Sequence, residues 1–138
     1  MADRLRLELA TPIRLVVSEE VDEVVVPGVE GYFGVLPGHA PFLTLVGVGE
    51  VSYSAGRAER YLAVSGGFAE VGPGRVTILA ETAERPEEID LARARHARER
   101  AEGRLTTRGG EETDYPRALA ALARAQSRLQ VAGRPPAP

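Results

Sequence analysis

Cysteine, lysine and tryptophan are all missing from this 138-residue chain, and it holds only one methionine, four tyrosines and three phenylalanines. Without thiols there is no disulfide framework, no thiolate nucleophile and no Cys-ligated zinc. No run of about 18 apolar residues occurs, and the start, Met1-Ala2-Asp3-Arg4, lacks the apolar stretch of a secretion signal. The expectation is a cytoplasmic chain that meets a membrane only through partners. Of two histidines, neither His39 nor His96 sits in an HExxH spacing or beside a nucleophile elbow, and no glycine-rich phosphate loop follows a strand. A hydrolase is therefore poorly supported, and neither a catalytic residue nor a metal ligand is assigned.

What is present divides at residue 86. Residues 1–86 carry 12 acidic and 7 basic side chains, whereas residues 87–138 carry 8 and 10. All 17 basic residues are arginine, whose planar fork matches carboxylate and phosphate oxygens two at a time. Up to Leu79 the dominant period is two: Leu5, Leu7 and Leu9, then Ile13, Leu15 and Val17, then Val24 to Val26 before Pro27-Gly28. Further short strands are expected at Leu43–Val46, Val51–Ser54, Tyr61–Val64, Phe68–Val71 and Val76–Leu79. Turns at Gly47, Ala55-Gly56, Gly66-Gly67 and Gly72-Pro73-Gly74 separate them. Such spacing predicts an antiparallel sandwich or flattened barrel.

The stretch Gly31 to Leu43 stands out within this half. Three glycines and two prolines exclude a helix, yet Tyr32, Phe33, Val35, Leu36, Phe42 and Leu43 are too apolar for a solvated linker. A shaped, partly buried turn is expected, which by its residues alone reads first as a plain connection between strands and second as an edge presented to a partner.

After Pro86 alanine becomes the commonest residue. Acidic Glu87, Glu88 and Asp90 suit a helix start at Pro86, and Leu91, Ala94, Ala97, Ala101 and Leu105 form a narrow apolar stripe ending near Gly103 to Leu105. Thr106 to Thr113 reads as a polar loop. Asp114 is a suitable N-cap for a second helix with Pro116 in its first turn and a stripe of Leu119, Leu122, Ala125, Leu129 and Ala132, stopped by Gly133. The two helices should pair antiparallel, with a frayed tail from Arg134. Arg93, Arg100 and Arg104 share one helix line, and Arg117, Arg124 and Arg128 repeat the same intervals. These files fit an anion site, an acidic docking face or a solvated flank with pairs such as Arg95 to Glu99 and Arg98 to Glu102. Nucleic acid fits less well, because the chain is net acidic and no aromatic side chain interleaves the files.

From end to end the sequence resembles the ε subunit of bacterial F-type ATP synthases. The matching stretches are GYFGVLPGHAPFL (31–43), VSGGFAEV (64–71), VTILAETAER (76–85) and IDLARA (89–94). The resemblance implies an all-β N-terminal sandwich of about ten strands over residues 1–86, followed by an antiparallel α-helical hairpin over residues 87–138. It implies a non-catalytic rotor-stalk subunit at the cytoplasmic face of the bacterial plasma membrane, partnered by the gamma subunit, the c ring and the beta and alpha subunits. It also implies coupling of proton transport to ATP synthesis and a hairpin that inhibits hydrolysis.

On residues, the resemblance places Glu30, Tyr32 and His39 at the c ring, with Tyr32 standing where some relatives carry an acid. Arg117, Arg124 and Arg128 fall where the family docks on the catalytic subunit. Glu84, Ile89, Asp90, Leu91, Arg93, Arg100, Arg124 and Arg128 fall around a regulatory ATP; no cofactor is required. The competing reading is a free-standing sandwich scaffold or ligand-binding protein whose hairpin dimerises.

Overall fold

The computed structural model describes residues 4–106 and 114–136. The eight strands are β1 (Leu5–Thr11), β2 (Arg14–Val21), β3 (Glu23–Gly28), β4 (Gly31–Val35), β5 (Phe42–Leu45), β6 (Gly49–Ala55), β7 (Ala58–Gly72) and β8 (Arg75–Glu84). They form one sheet in the order β2-β1-β8-β7-β6-β3-β4, with β5 added to β7. Every pairing is antiparallel except β1 with β8. The alternation read from the sequence puts Leu5, Leu7, Leu9, Val24, Val26, Val51, Tyr53, Leu62, Val76 and Ile78 into one core.

The sheet becomes a sandwich by bending at Gly66-Gly67. Tyr61–Val64 and Phe68–Val71, expected as separate strands, are two ends of β7, and the glycines between them are a corner. Register with β8 holds from Ala63↔Glu84 to Gly72↔Arg75. The buried positions nevertheless change parity, from Leu62 and Val64 to Ala69 and Val71. One half of β7 therefore pairs with β6 and the other with β5, in opposite layers. Gly66 and Gly67 take φ of 66° and 105°, and a Cβ on Gly67 would overlap the Leu79 carbonyl.

Three local expectations change. The Gly31–Leu43 stretch is a strand, an exposed loop and a second strand: Val35 is buried and Phe33 half-buried, but Tyr32, Leu36, Phe42 and Leu43 are exposed. Ile13 lies in the β1–β2 turn at 89 % exposure, because the register slips between Leu9 and Ala10. Pro86 starts a separate 3-10 turn, Pro86–Glu88, and extended Ile89 follows. The first helix, α1 (Leu91–Thr106), begins only after Asp90, whose carboxylate accepts the Arg93 N–H at 3.0 Å.

The second helix, α2 (Tyr115–Ala132), is capped as expected, Asp114 accepting the Arg117 N–H at 3.1 Å. The expected loop with Gly109-Gly110 lies outside the described residues. The α1 stripe holds at Ala94 and Ala101 but not at Leu91, which is exposed. On α2 the buried line is Ala118, Ala125 and Val131, and Leu119 is exposed. The small alanines carry the contact because only they let the helix axes approach.

We expect Gly67→Ala to destabilise the chain by at least about 2 kcal/mol in urea unfolding, since neither its backbone nor the Leu79 carbonyl can yield. Gly56→Ala, where nothing opposes a Cβ, should cost only about 1 kcal/mol for its left-handed backbone. Equal costs would remove the corner from the account.

Candidate functional site

The sandwich meets the hairpin at the end of β8, and arginine is on both sides of that joint. Arg85 donates to the Val16 carbonyl at 3.1 Å and the Tyr53 hydroxyl at 3.4 Å. Its backbone N–H donates to Glu88 Oε1 at 2.9 Å, and Arg14 reaches Glu88 Oε2 at 2.8 Å. The turn that launches the hairpin is thus tied to both layers.

Beyond it lies a cleft between the helices. Antiparallel packing brings Arg100 and Arg104 of α1 opposite Arg124 and Arg128 of α2 across a floor of Ala97, Ala101, Ala121 and Ala125, enclosing about 200 Å³. Next to it a pocket of about 210 Å³ opens between α2 and the sandwich, lined by Ser65, Thr82, Glu84, Arg124, Ser127 and Arg128. Arg124 and Arg128 belong to both cavities. Among the described residues no carboxylate lies within ion-pair distance of Arg100, Arg104 or Arg124. Arg128 is different: its Nε and Nη2 donate to the two oxygens of Glu84 at 2.6 and 3.0 Å. That bond raises its already high pKa, burial opposes the rise, and the fields of Glu84 and Asp90 add to it. Three uncommitted guanidiniums beside one half-buried fork suit a polyanion with several oxygens.

Of the residues assigned to a nucleotide, Glu84, Arg124 and Arg128 share the pocket, and Arg100 joins the two arginines in the cleft. Asp90 lies near enough to act on Arg128, but its carboxylate also caps α1. Ile89 is half-buried in the joint, while Leu91 and Arg93 are exposed and line neither cavity. Arg117, expected at a catalytic-subunit surface with Arg124 and Arg128, is exposed outside the cleft. Sequence reasoning left out Arg104 as a ligand residue, although it stands in the same file, and it missed Ser65, Thr82 and Ser127. No helical period connects the last three. Of the two intrahelical pairs expected, Arg98–Glu102 forms at 3.4 Å.

Glu30 precedes β4, Tyr32 lies on it and His39 follows it in the loop before β5, and all three are exposed. Tyr32 is 59 % exposed, yet its hydroxyl accepts the Glu50 N–H at 2.9 Å. Around them the apolar side chains are open. Leu36, Phe42 and Leu43 flank His39 in sequence and are exposed, and the His39 ring lies 6.4 Å from that of Phe42. On the outer sheet face Leu45, Phe68, Leu79 and Ala10 fall in one cross-strand row. A groove of about 520 Å³ runs beside them. Several large apolar side chains on this face of the sheet are thus left uncovered.

Residues 4–86 match the family model for the ATP synthase Delta/Epsilon chain β-sandwich domain, and residues 87–133 the model for its long α-helix domain. The ATP synthase epsilon chain of Koribacter versatilis is 55 % identical over 111 residues, covering 80 % of this chain and 78 % of the relative. ATP synthase epsilon chain 2 of Syntrophotalea carbinolica is 53 % identical over 134 residues, 97 % of each chain. Among solved structures, a chain of the Euglena gracilis mitochondrial ATP synthase, described as an OSCP/F1/c-ring assembly in rotational state 1, superposes with a TM-score of 0.81. It is 26 % identical, over 97 % of this chain and 84 % of that one.

The joint should respond to acid. Burial pushes the Glu88 carboxyl up, but the Arg85 N–H and the Arg14 guanidinium outweigh it and hold the pKa below the ordinary value. A depressed folded-state pKa means the contribution is complete above the unfolded value, about 4.3, and fades as pH falls through the folded one. We expect Arg14→Ala to move the Glu88 midpoint upward in a carboxyl NMR titration; an unmoved midpoint would show that Arg14 does not set it.

Proposed function

The chain belongs to the ATP synthase delta/epsilon family as an epsilon chain of the F-type enzyme, and from that membership we propose a non-catalytic rotor-stalk subunit. Its sandwich docks on the gamma subunit and the c ring, and so helps couple proton transport through the ring to ATP synthesis. Its hairpin is a moving part that regulates ATP hydrolysis by reaching the beta and alpha subunits when it leaves the sandwich. ATP binds the folded-down hairpin without being hydrolysed. Among the described residues no helix is long and apolar enough to cross a membrane. Partners then hold the chain at the cytoplasmic face of the plasma membrane.

The observation that carries this reading is the convergence of Arg100, Arg104, Arg124 and Arg128, two from each helix, on one cleft that exists only while the helices lie together. A polyphosphate there contacts both helices and so favours the state that assembles the cleft. At 100 times its dissociation constant such a ligand stabilises that state by about 2.7 kcal/mol, enough to reverse a modest bias toward opening. The attachment is suited to release. The α1 helix packs along α2, and α2 alone lies broadly against β6 and β7. Among the described residues the hairpin's fully buried side chains are Ala94, Ala101, Ala118, Ala125 and Val131, four of them alanine, while Leu105, Leu122 and Leu129 are only half-buried, so the burial, at about 25 cal/mol per Å², is modest.

Calorimetry with ATP tests the ligand. Arg124→Ala should weaken binding about tenfold or more, the worth of a charge-assisted hydrogen bond, while Arg93→Ala, outside the cleft, should change it little. Undiminished binding by Arg124→Ala and Arg100→Ala would refute the site.

For the rotor contact we expect Phe68→Glu, in the centre of the exposed apolar row, to abolish co-purification with the gamma subunit. Because Phe68 is already 45 % exposed, the unfolding midpoint should shift little. Normal co-purification would direct the search to another face.

A further inference from the structure

The C-terminal end of α2 is fastened by a contact that the arginine cleft does not include. Glu50, on β6, has a side chain only 10 % exposed, and Arg134 forks onto it with Nε and Nη2 at 3.0 and 3.1 Å from the two carboxylate oxygens. The same guanidinium lies 4.8 Å above the Tyr61 ring, and Gln130 adds a longer contact at 3.5 Å. Both sides are preset. The Glu50 N–H is held by the Tyr32 hydroxyl, and the Arg134 N–H closes the end of α2 on the Val131 carbonyl at 2.9 Å. Arg134, expected in a frayed tail, is therefore an anchored residue, one position beyond the matched helical domain.

We propose that the Glu50–Arg134 fork is a latch that seats the hairpin independently of nucleotide. Among the described residues two forks join α2 and its C-terminal end to the sandwich, Glu84–Arg128 and Glu50–Arg134. Arg128 lies within α2 and Arg134 just past its end. An anion entering the cleft competes with Glu84 for Arg128, so the first fork belongs to the ligand's site. Neither Glu50 nor Arg134 lines the cleft or the pocket beside it, and the second fork stays closed whatever occupies them. The latch acts on one state only. With α2 seated, the Glu50 carboxylate is covered and needs its guanidinium; with α2 lifted, both ions return to water. Loss of Arg134 therefore penalises the seated hairpin and leaves the open one untouched.

This rests on the hairpin opening apart from the sandwich, and amide exchange on the full chain separates the two claims. Arg134→Gln should speed exchange of α1 and α2 amides about tenfold, with sandwich amides unchanged. Glu50→Gln/Arg134→Gln should open no further than Arg134→Gln, because no unpaired carboxylate remains. Added ATP should slow hairpin exchange by the same factor in wild type and Arg134→Gln. A hairpin that opens by itself at one rate in every variant overturns the latch alone, as do single effects that simply multiply. Loss of the ATP effect in Arg134→Gln overturns its independence from the nucleotide. A hairpin that exchanges only together with the sandwich, in all variants, overturns the latch and the moving hairpin together.

Discussion

Alanine cannot bury enough surface to hold two helices on a sheet, and the character of the hairpin follows from that constraint. The sandwich is closed by Leu5, Leu7, Leu9, Leu62, Ile78, Tyr53 and ten buried valines. Among the described residues the hairpin fully buries four alanines and one valine, with Leu105, Leu122 and Leu129 only half-buried. What its apolar face lacks in area, arginine supplies in direction: Arg128 on Glu84 and Arg134 on Glu50 each spend two donors on one carboxylate. Forks of this kind are specific in geometry but modest in net energy, because two ions must leave water to form them. A part held mainly by such contacts is positioned accurately and released readily.

The same arginine chemistry explains why anchoring and ligand binding are intertwined at one place. Guanidinium groups crowded along the inside of a helix pair repel one another unless an anion joins them. Glu84 partly serves that role from the sandwich, at the end of β8. The charge divide in the chain thus has a structural counterpart in Glu84–Arg128 and Glu50–Arg134, where sandwich carboxylates meet hairpin arginines, while at the joint the signs reverse, Arg85 and Arg14 of the sandwich holding Glu88. The sandwich also keeps Leu45, Phe68 and Leu79 uncovered.

Much of this architecture was legible in order of residues. Strand alternation at Leu5–Leu9 and Val24–Val26, the cap at Asp114 and the stop at Gly133 are local effects, and local effects survive into the fold. Errors cluster where a neighbour decides the outcome. Gly66-Gly67 read as a break because glycine pairs usually end a strand, whereas here β8 continues alongside and turns the break into a corner. Leu119 read as core by period and size, yet the close approach of α1 selects Ala118 and Ala125. Pro86 read as the start of a helix that Ile89, extended, postpones to Leu91.

For the site, the arginine files were visible because a helix repeats its face every seven residues, which aligns Arg100 with Arg93 and Arg124 with Arg117. Their meeting was implied by the family resemblance but not by spacing, since it depends on how one helix is set against the other. Ser65, Thr82 and Glu50 carry no pattern at all; they matter only because β6 and β7 lie under α2 and Thr82 of β8 lines the pocket beside it. The sequence by itself determined the two halves, their secondary structure and the lines of charge, all properties of spacing along one chain segment. Tertiary structure alone decided which arginines face a common space and which carboxylates hold α2 down, because ion pairs and clefts arise between segments far apart in sequence.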